Sequence, residues 1–487
     1  MPRLLILIIS LLGIGCRVAG PATNSSPFQQ PIATQESLSL VQPATFETYV
    51  QAEESGSIEE YVQLGLLRNP SIAAAQHRVE AARNRVPQAI ALPDPMLNTN
   101  THLAPIQTAA GEQAFSLGIS QKWTPVDRRL TLAAMAADEV AIAQAALEQK
   151  RLEVAEAIRK TGYQLLSVRR SIEITNEDLE SLQQIAEVVR RQYEVKQSVT
   201  QQDVLNVQLE QSRVENQRTS LRQQEQSLQA RLSRWIHVDP DSRLTIVDSL
   251  TDKIAEFDVD RLVQLAVERR PELRSQMASV RQTAKAVRLA RLAAKPDVTF
   301  GLNWIATSST GISPVANGDD SLLLGLGFNL PVDRSRIQAG ICEARSNQTA
   351  AEYQLVSLQD RANEEVFDIV TQLDGTRETL MLIQEDIIPK AERTLEIAID
   401  GYSTDTIEYV QLIANWRSIY RYRISEASLQ AQYLQLLAEL ARSVGQIDPV
   451  TPSAMLDADD GGNDNVHSNE AIVHPAQAAG LSPSAGE

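Results

Sequence analysis

Along most of this chain apolar residues recur at helical spacing, but in four short stretches they alternate with polar or small residues. Phe115, Leu117, Ile119 and Trp123 share one parity, with Ser116, Gly118, Ser120 and Lys122 on the other. Val298, Phe300, Leu302 and Trp304 alternate with Thr299, Gly301 and Asn303. Leu322, Leu324, Leu326, Phe328 and Leu330 alternate with Leu323, Gly325, Gly327 and Asn329. The remaining stretch is weaker, but Asn98, Asn100 and His102 fall on one face. Period-two alternation over about ten residues, apolar on one face only, is the pattern of membrane β-barrel strands. Strands are predicted at about 95–105, 113–123, 297–307 and 320–330. The rival reading is two soluble hairpins covering a core; its weakness is that the flanking sequence is already committed to helices.

Those helices are long. From Asp127 to about Val195 there is no Pro and one Gly, Gly162. A helix over about 127–195 would reach roughly 100 Å at 1.5 Å per residue. A break near 196–199 precedes a return helix over about 199–236. The later half predicts a helix over about 333–400, a break near 403–404, and a return helix over about 406–445. Asp127 and Asp333 sit where N-caps are wanted. Ala133, Ala134, Ala136, Ala137, Ala141, Ala143, Ala145 and Ala146 let neighbouring helices approach closely, and this composition favours coiled coils.

The punctuation repeats. Arg68-Asn69-Pro70 and Arg269-Arg270-Pro271 each end one short helix and begin another, and Pro95 and Pro296 close those second helices, both pairs offset by 201 residues. Thr124-Pro125-Val126-Asp127-Arg128 matches Leu330-Pro331-Val332-Asp333-Arg334 at an offset of 206. This is an internal duplication of a large unit. The first repeat spans 57–236, an inter-repeat linker 237–257, and the second repeat 258–446.

Composition refines this picture at the ends. The chain is 43% hydrophobic and 22% charged with a net charge of −17, a balance that argues against nucleic-acid binding. Residues 1–16 read as a targeting segment: Arg3, an apolar run from Leu4 to Leu12 too short to cross a bilayer, then Gly13-Ile14-Gly15-Cys16. The small residues before Cys16 resemble a bacterial lipoprotein signal, in which Cys16 becomes the acylated first residue; Gly13 stands where that motif prefers Leu. An ordinary signal peptide with an incidental Cys is the alternative. Residues 17–56 read as an extended linker and 447–487 as a disordered acidic tail. Cys342 reads as a small packed residue of a helix. No other apolar run appears long enough for a transmembrane helix. The five His are scattered, there is no paired metal-ligand spacing and no Gly-rich phosphate loop, so neither an enzyme nor a cofactor or metal protein is expected. Scattered Asp and Glu are assigned to solvated helix faces.

Four strands cannot close a barrel, and a bilayer does not tolerate an open lipid-facing edge, so the strands must be pooled among copies of the chain. Over 57–446 the chain resembles the TolC-like outer-membrane efflux proteins. The resemblance rests on Asn69-Pro70-Ser71-Ile72 with Ala81-Ala82, on Arg270-Pro271-Glu272-Leu273, and on Ile387-Ile388-Pro389-Lys390-Ala391, in order. It implies a mainly α fold with a membrane β-barrel portion: a homotrimer with a twelve-stranded β-barrel in outer-membrane lipid above an α-helical periplasmic tunnel. It further implies docking to a periplasmic adaptor and an inner-membrane pump, as the exit duct of a tripartite efflux or secretion system. The family closes its periplasmic end at the hairpin tips, where Tyr193 and Tyr402 match its tyrosines; Asp203 lies one residue from an expected acidic position, and Asp405 stands where the family has a turn glycine. Tyr193 and Tyr402 are equally readable as packed tip residues. Pro389 should kink the wall about 20 Å before Tyr402. Phe115, Trp123, Phe300, Trp304 and Phe328 are candidate barrel aromatics. Leu92-Pro93-Asp94-Pro95, Gln121 and Pro125 look somewhat like the metal-cation branch, a slight lean that leaves drug efflux and protein secretion open. The rival class is an exported coiled-coil scaffold or stalk without a pore.

Overall fold

In the computed structural model of the protein, residues 54–195, 200–250, 257–309, 317–404 and 406–447 are described. The first repeat opens with a short strand β1 (Glu54–Gly56), followed by α1 (Ile58–Arg68) and α2 (Pro70–Ile90). Next come strands β2 (Met96–Thr108) and β3 (Gly111–Trp123), the long helix α3 (Val126–Val195) and the return helix α4 (Gln201–Ile236). A short strand β4 (Leu244–Ile246) precedes the second repeat: α5 (Val259–Arg269), α6 (Pro271–Leu292), β5 (Val298–Ser308) and β6 (Ser321–Phe328). It ends with α7 (Arg334–Leu382), a π-helical turn (Ile383–Ile387), α8 (Ile388–Ser403) and the return helix α9 (Tyr409–Ser443).

The local chemistry of these junctions is visible. Ser57 and Glu60 form a reciprocal capping box at the start of α1. Asn69 ends α1 and caps α2, accepting from the Ser71 amide at 2.9 Å while its own amide reaches the Trp235 carbonyl at 2.9 Å. Pro70 and Pro271 stand at the first turns of α2 and α6, where a missing N–H costs nothing. Asp333 caps α7 by accepting from the Arg336 amide at 3.0 Å. Asp127 does not cap α3: the helix starts one residue earlier at Val126, and Asp127 instead holds Lys295 at 2.5 Å across the repeats.

The second long helix is interrupted, against the expectation of one run over 333–400. Pro389 has no N–H, and its ring crowds the carbonyl of residue 385. The chain widens just before it, with the Ile388 amide bonding back five residues to Ile383. Residues 54–56, assigned from composition to the linker, form β1 and pair in parallel with β4. That partner is remote in sequence, so composition alone hid the strand. The first hairpin runs longer than predicted, with Thr108 and Gly111 paired across a two-residue turn. The alanine-rich start of α3 contains an eighteen-residue window of mean hydropathy 1.4, enough by length and composition to cross a membrane. The expectation that no such helix exists is corrected here. The same stretch holds Asp138, 6% exposed and paired with Lys285 of α6 at 2.5 Å, so it packs as a protein wall.

Three apolar clusters carry the helices. One joins α1, α3, α4 and β4 around Ile58, Tyr61, Ile158, Leu165, Leu232 and Leu244. Here α1 crosses α3 so closely that a Cβ on Gly162 would lie 3.0 Å from Ile58. A second cluster joins α5, α7 and α9, and a third joins the far ends of α3, α4, α8 and α9.

Candidate functional site

Two regions carry the candidate function: the sheet that interrupts the helices, and the end of the hairpins where α3, α4, α8 and α9 meet. The sheet has the order β2-β3-β5-β6 and is antiparallel throughout, so the two repeats join through β3 and β5. Register places whole rows of like residues together. Leu117, Trp304 and Leu322 form one row; Ile119, Leu302 and Leu324 another; Trp123, Val298 and Phe328 a third. The opposite face sets Gly118 beside Asn303, Ser120 beside Gly301 and Gly325, and Lys122 beside Thr299 and Gly327. Asn98 reaches Ser120 Oγ on this side at 3.3 Å.

The apolar face has no cover. Leu322, Leu324, Leu326 and Phe328 are 56–75% exposed, and Phe300, Trp304 and Trp123 are half exposed. Phe115 meets Trp304 edge to face at 6.3 Å, and the Trp304 indole donates to Asp320 at 3.3 Å. Among the described residues, the outer edges of β2 and β6 have no strand partner.

Where strands give way to helices, Asp297 is 4% exposed and binds Lys122 at 2.7 Å and Arg128 at 3.2 Å, while its amide donates to Asn329 at 2.5 Å. The cluster draws on both repeats. It was missed because only strand register brings these residues together.

At the hairpin ends the candidate aperture residues divide. Tyr402 is 6% exposed and belongs to the third cluster with Leu412, Ile413 and Trp416, whereas Tyr193 is 46% exposed. Asp203 accepts from the Thr200 amide and hydroxyl, both at 2.9 Å, and so tightens the start of α4. Gln192 donates to the Ser403 carbonyl at 2.8 Å, tying one hairpin end to the other. Gly401 permits the close return of the chain, since a Cβ there would lie 2.7 Å from Ile407. Cys16 and Asp405 lie outside the described residues. Pro389 is the second residue of α8, one residue beyond the π-helical turn.

Sequence reasoning missed three buried acids by assigning carboxylates to solvated faces. Asp138 is one. Glu210 of α4 is 7% exposed at its side chain and takes a two-pronged contact from Arg417 of α9, plus one from Arg213. Asp178 of α3 is 3% exposed, beside a 3.2 Å contact between Thr175 and the Tyr420 hydroxyl. Burial pushes the Asp178 carboxyl up to about 6, with Arg423 opposing and Glu177 adding to the rise. Burial likewise raises the Tyr409 hydroxyl to about 12, beside Glu210. Cys342, expected to be packed, is exposed in the single chain because it lies on the uncovered side of α7. Among the described residues, no cluster of His, Cys, Asp and Glu is arranged to hold a metal ion.

The family profile described as outer membrane efflux protein matches residues 61–236 and 262–446. Among solved structures, the outer membrane protein VceC from Vibrio cholerae is 19% identical, with 80% of this chain and 96% of that chain covered at a TM-score of 0.65. CusC is 16% identical, covering 86% and 99% at a TM-score of 0.68. The CmeC outer membrane channel of Campylobacter jejuni is 14% identical, covering 91% and 98% at a TM-score of 0.66. Among curated proteins, none matches significantly by sequence.

Proposed function

Because this chain belongs to the outer membrane efflux protein family, we propose that it is the exit-duct subunit of a tripartite export system. Three copies pool their strands into a twelve-stranded barrel in the outer membrane, above a helical tunnel in the periplasm. The observation that carries this reading is the uncovered apolar face of a four-stranded sheet with two free edges. Such a face needs an apolar partner, which lipid supplies, and in lipid such edges must be paired. The strands alternate in direction, so β6 of one copy meets β2 of the next antiparallel, and the ring closes by repeating one junction. From the row of Phe115 to that of Trp123 is eight residues, or about 26 Å along a strand. With the usual tilt this spans about 20 Å of bilayer, close to the roughly 25 Å apolar band of outer-membrane barrels. The polar face, built from Gly, Ser, Asn and Thr, lines a bore that a barrel of this size leaves open.

A periplasmic adaptor and an inner-membrane pump supply the driving force; the duct itself is passive. Cargo is chosen by the pump, with drug or cation export as the classes favoured. Acylation of Cys16 would add a lipid anchor to the same membrane, and mass measurement of the mature N-terminus tests it. The deciding experiment is fractionation of cells expressing the full chain, followed by mass measurement in detergent and conductance in planar bilayers. The expected result is an outer-membrane, detergent-stable trimer that forms a pore. A water-soluble monomer or stalk would overturn the proposal.

A further inference from the structure

The buried face of α3 runs at alternating spacings of four and three residues through Ser171, Thr175, Asp178, Leu182, Ile185 and Val189, all at most 5% exposed. Asp178 therefore occupies a core position of the seam between the two hairpins, where α3 packs on α9. Its Oδ2 has no hydrogen-bond partner. The groups facing it are few. From α9 come Tyr420, which contacts Thr175 at 3.2 Å and stacks on Trp416 at 5.9 Å, and Arg423. Arg423 is already engaged by Glu392 of α8 at 2.8 Å and by Glu177 of α3 at 3.7 Å. From α4, Arg218 reaches only the Asn176 side chain, at 3.5 Å. One arginine thus faces three carboxyl groups, and among the described residues the most buried of the three has no ion pair.

We propose that Asp178 makes the hairpin seam acid-sensitive: protonated it packs as a neutral core residue and holds α3 against α9, and ionised it loosens that contact. An unpaired buried carboxylate is costly, and the neutral acid is much less so. The direction follows from linkage. Burial has raised the carboxyl from 3.8 to about 6, so the seam's added stability is complete below the ordinary value and is lost as pH rises through about 6. If separating the hairpins wets Asp178, acidification from pH 7.5 to 5 favours the packed seam by roughly tenfold per protomer. The consequence for a pore, fewer openings at low pH, rests on the exit-duct reading; the seam chemistry does not.

The test compares the full-length wild type with Asp178→Asn, a neutral group of the same shape, and with Asp178→Ser should the first fail to assemble. Other carboxyls also titrate, so the measured quantity is the difference between wild type and variant. Resistance to denaturation at pH 7.5 and 5 reads the seam directly, and conductance at the same two values reads its coupling to opening. The expected result is an acid-induced gain in the wild type that shrinks by about tenfold in equilibrium constant per protomer in the variant. A loss of pH-dependent opening in the variant accompanies it. Equal acid responses in wild type and variant would overturn the proposal. Absence of any conductance, with the difference in denaturation intact, would instead overturn the exit-duct reading and leave the seam as described.

Discussion

Asp297→Asn removes the one negative charge that Lys122 and Arg128 share at the junction of strands and helices. The carboxylate is 4% exposed, and breaking a fully buried pair costs about 3–5 kcal/mol. Here the cost is smaller, because the Arg128 and Lys122 side chains are 32% and 51% exposed and can recover water. Loss of two charge-assisted contacts with rehydrated partners leaves about 1–3 kcal/mol. The backbone bond from residue 297 to Asn329 is untouched, so the register of β5 and β6 should survive. The assay is the rate of unfolding in sodium dodecyl sulfate at fixed raised temperature, followed as a band shift, since membrane barrels unfold irreversibly and kinetics is the sound measure. A loss of about 2 kcal/mol that falls on the unfolding barrier accelerates it roughly twentyfold at such a temperature. Arg128→Met should then add less to Asp297→Asn than it costs alone. Wild-type kinetics for Asp297→Asn, or additivity within about 0.5 kcal/mol, would refute the idea that this cluster holds the repeats together.

Leu324→Lys places a charge on the uncovered apolar face and should cost about 2–4 kcal/mol near mid-membrane, depleting the protein from the outer membrane, whereas Ser120→Lys on the opposite face should not. Quantitative immunoblotting of membrane fractions separates the two. Arg159→Leu strips a guanidinium, 2% exposed, from Glu59 and the Ile447 carbonyl; thermal denaturation should show a loss of about 3 kcal/mol. Pro389→Ala restores a backbone donor at the π-helical turn and should straighten the wall, raising closed-state conductance. Unchanged closed-state conductance would show that Pro389 does not taper the tube.

Strands, hairpins and their order were legible because each rests on a local signal. Alternation around Leu117 and Leu302 marks a strand whatever it pairs with, and Asn69-Pro70 marks a helix junction by backbone chemistry alone. What pairs with what was not legible. The meeting of β3 with β5, and of β1 with β4, depends on contacts between residues nearly two hundred positions apart. The Asp297 cluster was invisible for the same reason. Asp178 was legible in principle: it continues the spacing of Thr175, Leu182 and Ile185, yet its neighbours Glu177 and Glu180 made the segment look like a solvated face. Helical register outranks local composition there, because a side chain's position around the helix decides its burial.

Two kinds of contact hold the helices of this chain together. Around α1, β4 and the end of the return helix α4, contacts are apolar and close, with Gly65 and Gly162 allowing helix crossings that leave no slack. Close-packed interfaces of that kind are sensitive to changes of even one methylene in volume. Down the seam of α3 and α4 with α9 the chain instead inserts exchangeable polar contacts: Lys160 to Glu439, Gln164 to Gln435, Thr175 to Tyr420, and Glu210 to Arg417. Each can trade its partner for water at a net cost of about 0.5–1.5 kcal/mol, or about 1.5–3 where a charge takes part, so these are the exchangeable contacts of a seam whose remainder is the apolar third cluster. Along α3 the two kinds of contact interleave: Lys160 and Gln164 lie between Ile158 and Leu165 of the first apolar cluster, and beyond Asp178 the seam is apolar again at Leu182, Ile185 and Val189.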